Sequence, residues 1–410
     1  MIKPLTLVEQ AVLYLCRKSL KTLKGESDIF DFSKLGAKGW DEVIKECSIQ
    51  SVSLMCFDAT DEYKDYVPKE LYSAWFEKSA LGLVKNFNVL NAQNQLVSLL
   101  DNNKLDYIIL KGFASASYYP DFEKRAFGDV DFLISPNQQE RVERVLLEAG
   151  YTKSSDEHIC HRVFRKPKSN LEMHFEVAGI PNGQPGEIFR EYFKNAAEKY
   201  TVNINPNFHN PLPEIHAAVL LLHTIHHMLG EGIGLRQLCD WACFVNKTYK
   251  EDFWQKDVLP LLRKTGTYKF ASTITKTASI YLGTACPNWA EWVDEALCSA
   301  VMEDIFSAGN LGKKDFNRSG SGQMISRNGK SGTRNGKVKN LLLTLKDTMY
   351  ISYPFLRKWW ILYPFVFVFR IFRYLVLMLI GKRPDLLKAN TYANERLSLY
   401  KQFELYNNEF

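Results

Sequence analysis

Apolar positions recur at helical spacing through the first hundred residues, from Leu7, Ala11 and Leu15 onward through GWDEVIKECSIQSVSLMCF and GLVKNFNVLNAQNQLVSLLDNN. Spacings of three and four place such side chains on one face, so this part predicts three or four helices. Near residue 105 the period changes. LDYIILKG is a short β-branched run closed by Gly112 and reads as a strand, and the small residues of FASASYYPD suit a helix packed closely on a sheet. A second strand follows in FGDVDFLIS, residues 127 to 135. SPNQQERVERVLLEAG then places Ser135 at an N-cap, Pro136 at the first helical position and Gly150 at the end, which predicts a helix with both boundaries marked. HRVFRKPKSNLEMHFEV predicts a hairpin with one strand to Arg165, a turn from Pro167 to Asn170 and a second strand from Leu171 to Val177. From 211 to 309 the helical period returns, most clearly in PEIHAAVLLLHTIHHMLG.

This order describes an α+β chain. A helical region (1–100) precedes a small mixed-sheet core (101–205) and a helical domain (206–309). The composition changes at 310–340, where NLGKKDFNRSGSGQMISRNGKSGTRNGKVKN has six glycines, eight Lys or Arg and one acid, Asp315. Such a stretch buries too little apolar surface to offset its ordering entropy and reads as a solvated basic linker. The remainder, 341–410, reads as an amphipathic helical tail. Within it YPFLRKWWILYPFVFVFRIFRYLVLMLIGKRP is long enough to span a bilayer, but Arg370 and Arg373 fall mid-run and each costs about 2.5 to 3.5 kcal/mol there. Residues 350–383 instead fit a helix lying in a membrane interface or docked on the helical domain, with Pro364 interrupting the run.

Composition narrows the class. With 46% hydrophobic and 13% aromatic residues in 410, the chain can build two or three real domains. A net charge of +6, from 52 basic and 46 acidic side chains, is too small for a global nucleic-acid footprint. Eight scattered cysteines with no C-x-x-C pair fit reduced thiols in a cytosolic protein. The first thirty residues interrupt their apolar run with Glu9, Gln10, Arg17 and Lys18, which suits an amphipathic helix and not a signal peptide.

The chemistry concentrates around Asp129 and Asp131. In a strand, residues two apart project to one face, so both carboxylates point together while Val130 and Phe132 face a core. Two neighbouring anions require a compensating cation, and Mg²⁺ or Mn²⁺ takes carboxylate oxygens together with substrate phosphates. A third acid is expected on the hairpin, where Glu172, His174 and Glu176 alternate onto one face. Three carboxylates can hold two ions for phosphoryl chemistry, and Glu172 is the candidate to help deprotonate an attacking hydroxyl. Lys111-Gly112 ends a strand where a helix begins, a place that favours anions, and Arg125 has the donor fork for phosphate. His223, His226 and His227 suit a helix near the cleft, Arg236 and Asp240 an ordinary i, i+4 surface ion pair, and HICH (158–161) has too few ligands in a fixed geometry for a metal site.

These segments carry a resemblance. LKG at 110–112, RAFGDVDFLI at 125–134, LEMHFEV at 171–177 and LLHTIHHMLGEGIGLRQLCDWACF downstream resemble the uncharacterised nucleotidyltransferase-like family of the polymerase-β-type superfamily, over roughly residues 5 to 310. The resemblance implies a small twisted mixed sheet backed by helices and Mg²⁺-dependent transfer of a nucleoside monophosphate from an NTP to an acceptor. It implies Asp129, Asp131 and Glu172 as metal-binding catalytic residues, and Lys111, Gly112, Arg125, Gly128 and His174 on the nucleotide. One position departs. Most active superfamily members carry Gly-Gly or Gly-Ser in the first motif, where this chain has Gly112-Phe113, a bulky side chain at the phosphate turn; many relatives in this branch share the L-K-G form, with Lys111 left to stand in for the hydroxyl. The alternatives this raises are a non-catalytic binding module and a membrane-surface accessory in polysaccharide or envelope assembly.

Overall fold

Residues Val130 to Ile134 alternate between two apolar environments, and that alternation sets the layers of the molecule. Val130, Phe132 and Ile134 join a core with Leu96, Leu100, Val142 and Leu146, whereas Leu133 joins a second, larger core with Leu110 and Leu221. A strand buried on both faces has lost its polar alternation, which is why Asp131 stands out within it. In the computed structural model, residues 4–25, 29–154, 158, 160–204, 207–314, 318, 349, 353–380 and 396–408 are described.

The sheet contains β1 (Tyr107–Ile109), β2 (Val130–Ile134), β3 (Thr152–Lys153), β4 (His161–Lys166) and β5 (Ser169–His174), in the order β1-β2-β5-β4-β3. β1 runs antiparallel to β2, and β2 pairs in parallel with β5, Asp131 opposite Glu172. A parallel pair needs a crossover. It is made here by α6 (Gln139–Glu148), β3 and β4. The start of that crossover is as the residues predict: Pro136 opens a 3₁₀ turn that runs into α6, and Gly150 closes it at φ +83°. On one face lie α6 and the later part of the 34-residue α4 (Lys69–Asn102), while α1 (Leu7–Ser19), α2 (Gly36–Ile49) and α3 (Ser53–Ala59), which precede α4 in the chain, join the larger core with the helical body. Thr6 and Glu9 form a capping box on α1.

The other face of the sheet is covered by the helical body. α7 (Gln184–Phe193) leads to a second hairpin, β6 (Tyr200–Ile204) with β7 (Asn207–Pro211), and then to α8 (Pro213–Leu229) and α9 (Leu235–Lys247). The short α10 (Glu251–Phe253), α11 (Leu259–Lys264), α12 (Tyr268–Leu282), α13 (Asn288–Glu291) and α14 (Glu295–Ala308) complete it. Residues 396–402 are helical and return to this body, with Phe403 packed edge-on against Phe270 and Tyr400 donating to the Met228 carbonyl.

Several expectations change. The second hairpin strand ends at His174 and not at Val177, because the chain bends at Phe175 and Glu176. Glu176 leaves the carboxylate face and pairs with Arg190 at 2.7 Å. The helix expected over FASASYYPD is one turn, α5 (Phe113–Ala116), and the β6–β7 hairpin has no counterpart in the sequence reading. Pro364 begins a helix, α15 (Tyr363–Leu379), where a first-turn proline loses no hydrogen bond, so it does not interrupt one. Within 350–383, α15 buries none of its residues against the helical domain; the part of the tail that docks there is 396–408. By length and composition Trp360–Leu379 could cross a membrane. Most of the basic linker lies outside the described residues. Its first five, 310–314, pack on the body: Asn310 is buried and donates to Ser51, as does Lys313. All eight cysteines are free thiols.

Candidate active site

The register of β2 on β5 brings Asp131 and Glu172 side by side on the sheet face that turns toward α8 and α9. Between them stands His174, whose Nε2 lies 3.1 Å from Asp131 Oδ1 and 3.5 Å from Glu172 Oε2. Lys111 Nζ reaches the same Asp131 oxygen at 2.7 Å. Burial alone would raise the Asp131 carboxyl, but the Lys111 charge and the His174 hydrogen bond hold it well below the usual carboxylate range. The converse holds for His174: burial opposes its charge, yet hydrogen bonding by Asp131, Cys160 and Glu172 pushes it up to about 10.

Asp129 sits one residue before β2, at the rim of the cleft. Partial desolvation raises its carboxyl, a hydrogen bond from Asn170 opposes the rise, and the anionic Glu172 and Asp131 add to it. The nearby Lys85 acts against the rise. The three acids do not share a single tight knot of oxygens: among the described residues the tight ligand clusters are His161 with Glu172 and His174, and His158 with Cys160 and His161.

These groups line a cleft of about 540 Å³, whose other wall comes from α8 and α9. His223, His226 and His227 project into it from α8. Burial and the nearby Lys111 keep His223 neutral, its pKa well below the usual value. Gly112 turns the chain from β1 into α5 at φ +63°, a conformation that side chains avoid. Phe113 does not block that turn, contrary to expectation. It is buried and stacked on Phe127 with centroids 4.0 Å apart, so its bulk fills the core beneath the site. Two residues on, the Ser115 hydroxyl is buried without a hydrogen-bond partner and lines the cleft. At Gly128 an added Cβ would meet open space, so glycine there keeps the rim clear and answers no packing demand.

Arg125 and Asp240 correct the reading of the basic residues. Arg125 is buried and grips Asp240 through Nε and Nη2, each at 2.7 Å, and Tyr119 donates to the same carboxylate. Asn86 of α4 fixes the preceding loop by donating to the Glu123 and Arg125 carbonyls. With its carboxylate taken, Asp240 is not the surface partner of Arg236. Arg236 lines the cleft with a buried Nε that lacks a partner, and burial together with Arg125 pushes its guanidinium downward. Lys313 is lowered by burial, then by Arg236 and Lys85. Arg236 and Lys313 thus bring positive charge to the α9 side of the cleft, while Lys85 stands beside Asp129 at the rim. Neither Arg236 nor Lys313 was legible as a site residue, since one sat in an apparent ion pair and the other in an apparent linker.

Comparison with known proteins completes the description. The profile of a family described as an uncharacterised nucleotidyltransferase matches residues 36–283, from α2 to the end of α12, and so includes the strands, the acids and the α8–α9 wall. No curated protein and no solved structure matches the chain. The match spans more than half of the 410 residues, and the fold is the mixed helix-and-sheet arrangement expected of such a protein; the chain belongs to the uncharacterised nucleotidyltransferase family, and a general nucleotidyltransferase function follows from that membership.

Proposed function

We propose that this protein transfers a nucleoside monophosphate from an NTP to an acceptor hydroxyl in a Mg²⁺- or Mn²⁺-dependent reaction. The observation that carries the reading is the in-register pairing of Asp131 with Glu172 on a cleft whose α9 side carries positive charge. The donor set suits a hard dication: oxygen ligands from Asp129, Asp131 and Glu172, the mutual repulsion of which a cation would relieve. Such an ion, when bound, neutralises phosphate charge and acidifies a coordinated hydroxyl.

The chain's own groups account for the rest. Glu172 is the more exposed of the paired acids, 26% against 10% for Asp131, and is placed to accept the acceptor's proton as its oxygen attacks the α-phosphorus. Pyrophosphate leaves toward Arg236 and Lys313, whose mutual repulsion an anion relieves. Ser115 and the α5 backbone after Gly112 offer donors where Gly-Ser stands in other superfamily members. Lys111 and His174 hold Asp131 ionised.

The test is label transfer from α-³²P-NTPs with Mg²⁺ or Mn²⁺ and fractionated cell extract as acceptor. Asp131→Asn is expected to lose about a thousandfold in rate, equivalent to several kcal/mol of transition-state stabilisation. Full labelling by that variant would sink the proposal, and a wild-type protein giving no heat with any NTP and Mg²⁺ in calorimetry would favour a non-catalytic module. A second reading concerns location. α15 exposes Phe365, Phe369 and Phe372 on a helix that buries nothing, which supports contact with a lipid surface. Liposome flotation of the intact chain, lost when 319–395 is replaced by a short linker, is the expected outcome, and equal flotation of both forms counts against it.

A further inference from the structure

His158, Cys160 and His161 arrive at one place because β4 begins at His161 directly opposite His174 on β5. The Cys160 sulfur lies 3.2 Å from His158 Nδ1 and 3.6 Å from His161 Nδ1. In a tetrahedral zinc site, bonds of about 2.1 Å to nitrogen and 2.3 Å to sulfur place those atoms about 3.6 Å apart. The His161 separation is that of ligands around one ion, and the shorter His158 one is that of a hydrogen bond with the thiol.

His174 supplies an independent sign. Its Nε2 faces Asp131 and Glu172, while its Nδ1 is buried with no oxygen or nitrogen partner among the described residues, and the Cys160 thiol is the remaining polar group close to the ring. Its ring stands 5.0 Å from that of His161, on the cysteine side of the sheet. A histidine tied to a carboxylate through one nitrogen and open at the other is the arrangement in which imidazole binds zinc, the carboxylate fixing the tautomer. The orphaned nitrogen would become a ligand.

We propose that Cys160, His158, His161 and His174 form a Zn²⁺ site, one thiolate with imidazoles, adjoining the carboxylates but distinct from the Mg²⁺ position. Sulfur and nitrogen donors select a borderline-soft ion such as Zn²⁺, whereas Asp129, Asp131 and Glu172 select a hard one. Zn²⁺ binding releases the thiol proton and the imidazole protons on the coordinating nitrogens. The stacked rings of His158 and His161, 4.1 Å apart, require one to turn, and His158 is exposed and able to do so. The ion would pin the segment before β4 to β5 and orient His174 against Asp131. This inference does not depend on nucleotidyl transfer, and its test reads metal alone.

The full chain, stripped with chelator, is titrated with Zn²⁺ against a chromophoric competitor in excess Mg²⁺, and separately with Co²⁺ by absorption. One Zn²⁺ per chain is expected, with a thiolate-to-Co²⁺ charge-transfer band that Cys160→Ser abolishes. His158→Gln, at an exposed position that spares folding, should weaken Zn²⁺ at least about tenfold. Wild-type Zn²⁺ affinity retained in both variants, or a Co²⁺ spectrum without the thiolate band, overturns the proposal. Circular dichroism of Cys160→Ser separates loss of ligand from loss of fold.

Discussion

Arg125 and Asp240 lie 115 positions apart and meet in a bidentate pair beneath the cleft. Such a buried pair costs more to break than it gains over an apolar replacement, because removing one partner strands the other charge. Arg125→Met should therefore lower the unfolding free energy by about 3 to 5 kcal/mol, read from the urea midpoint, and adding Asp240→Leu should restore part of it. An unchanged midpoint with only a raised KM for NTP would return Arg125 to the phosphate role its position before Asp129 first implied. The residue types around the site were readable one by one: acids two apart, a lysine before glycine, an arginine with a fork of donors. Which cation met which acid was not, since Lys111 with Asp131 and Arg125 with Asp240 are settled by packing between distant segments.

Elements whose ends are encoded locally match their sequence reading. Pro136 and Gly150 bound the turn and helix of α6, and the hairpin turns at Pro167 and Lys168, the latter at φ +60°. The parallel pairing of β2 with β5 depends on long-range contact and left no periodic trace, whereas the β6–β7 hairpin is local, and the alternation of Tyr200, Val202 and Ile204 is a trace the sequence reading passes over. α8 shows a further property of elements: an apolar helix can carry a buried histidine. His216 is fully buried, bonded at Nδ1 to the Tyr118 hydroxyl at 3.0 Å, and desolvation pushes its pKa down to about 3, with Asp240 opposing that shift and Arg125 adding to it. A folded-state value below the unfolded one of about 6.5 means that the unfolded chain binds the extra proton. Stability from this group is present above about pH 6.5 and falls as pH drops from there toward 3. Between pH 6.5 and 4.5, wild type should lose about 2 to 3 kcal/mol more than His216→Gln in denaturant titrations. Parallel curves for the two proteins would refute the assignment.

At the scale of the molecule, the chain leaves the helical body after α14 and comes back to it. Arg318 on the way out and Arg396 on the return both reach the same buried carboxylate, Asp304. Arg396 also donates to the Gly230 carbonyl at 3.0 Å, which ties the returning strand of chain to the end of α8. Replacing 319–395 with a short flexible linker should therefore leave the melting temperature and label transfer of the remaining chain near wild type, while truncation before 396 strips Tyr400 and Phe403 from the core and lowers stability by several kcal/mol. A linker variant that fails to fold would contradict this view. Because Arg318 and Arg396 share one anchor on Asp304, the two ends of the intervening stretch meet at a single point of the body, and were α15 to meet a lipid surface, that point would set how far from it the cleft could stand.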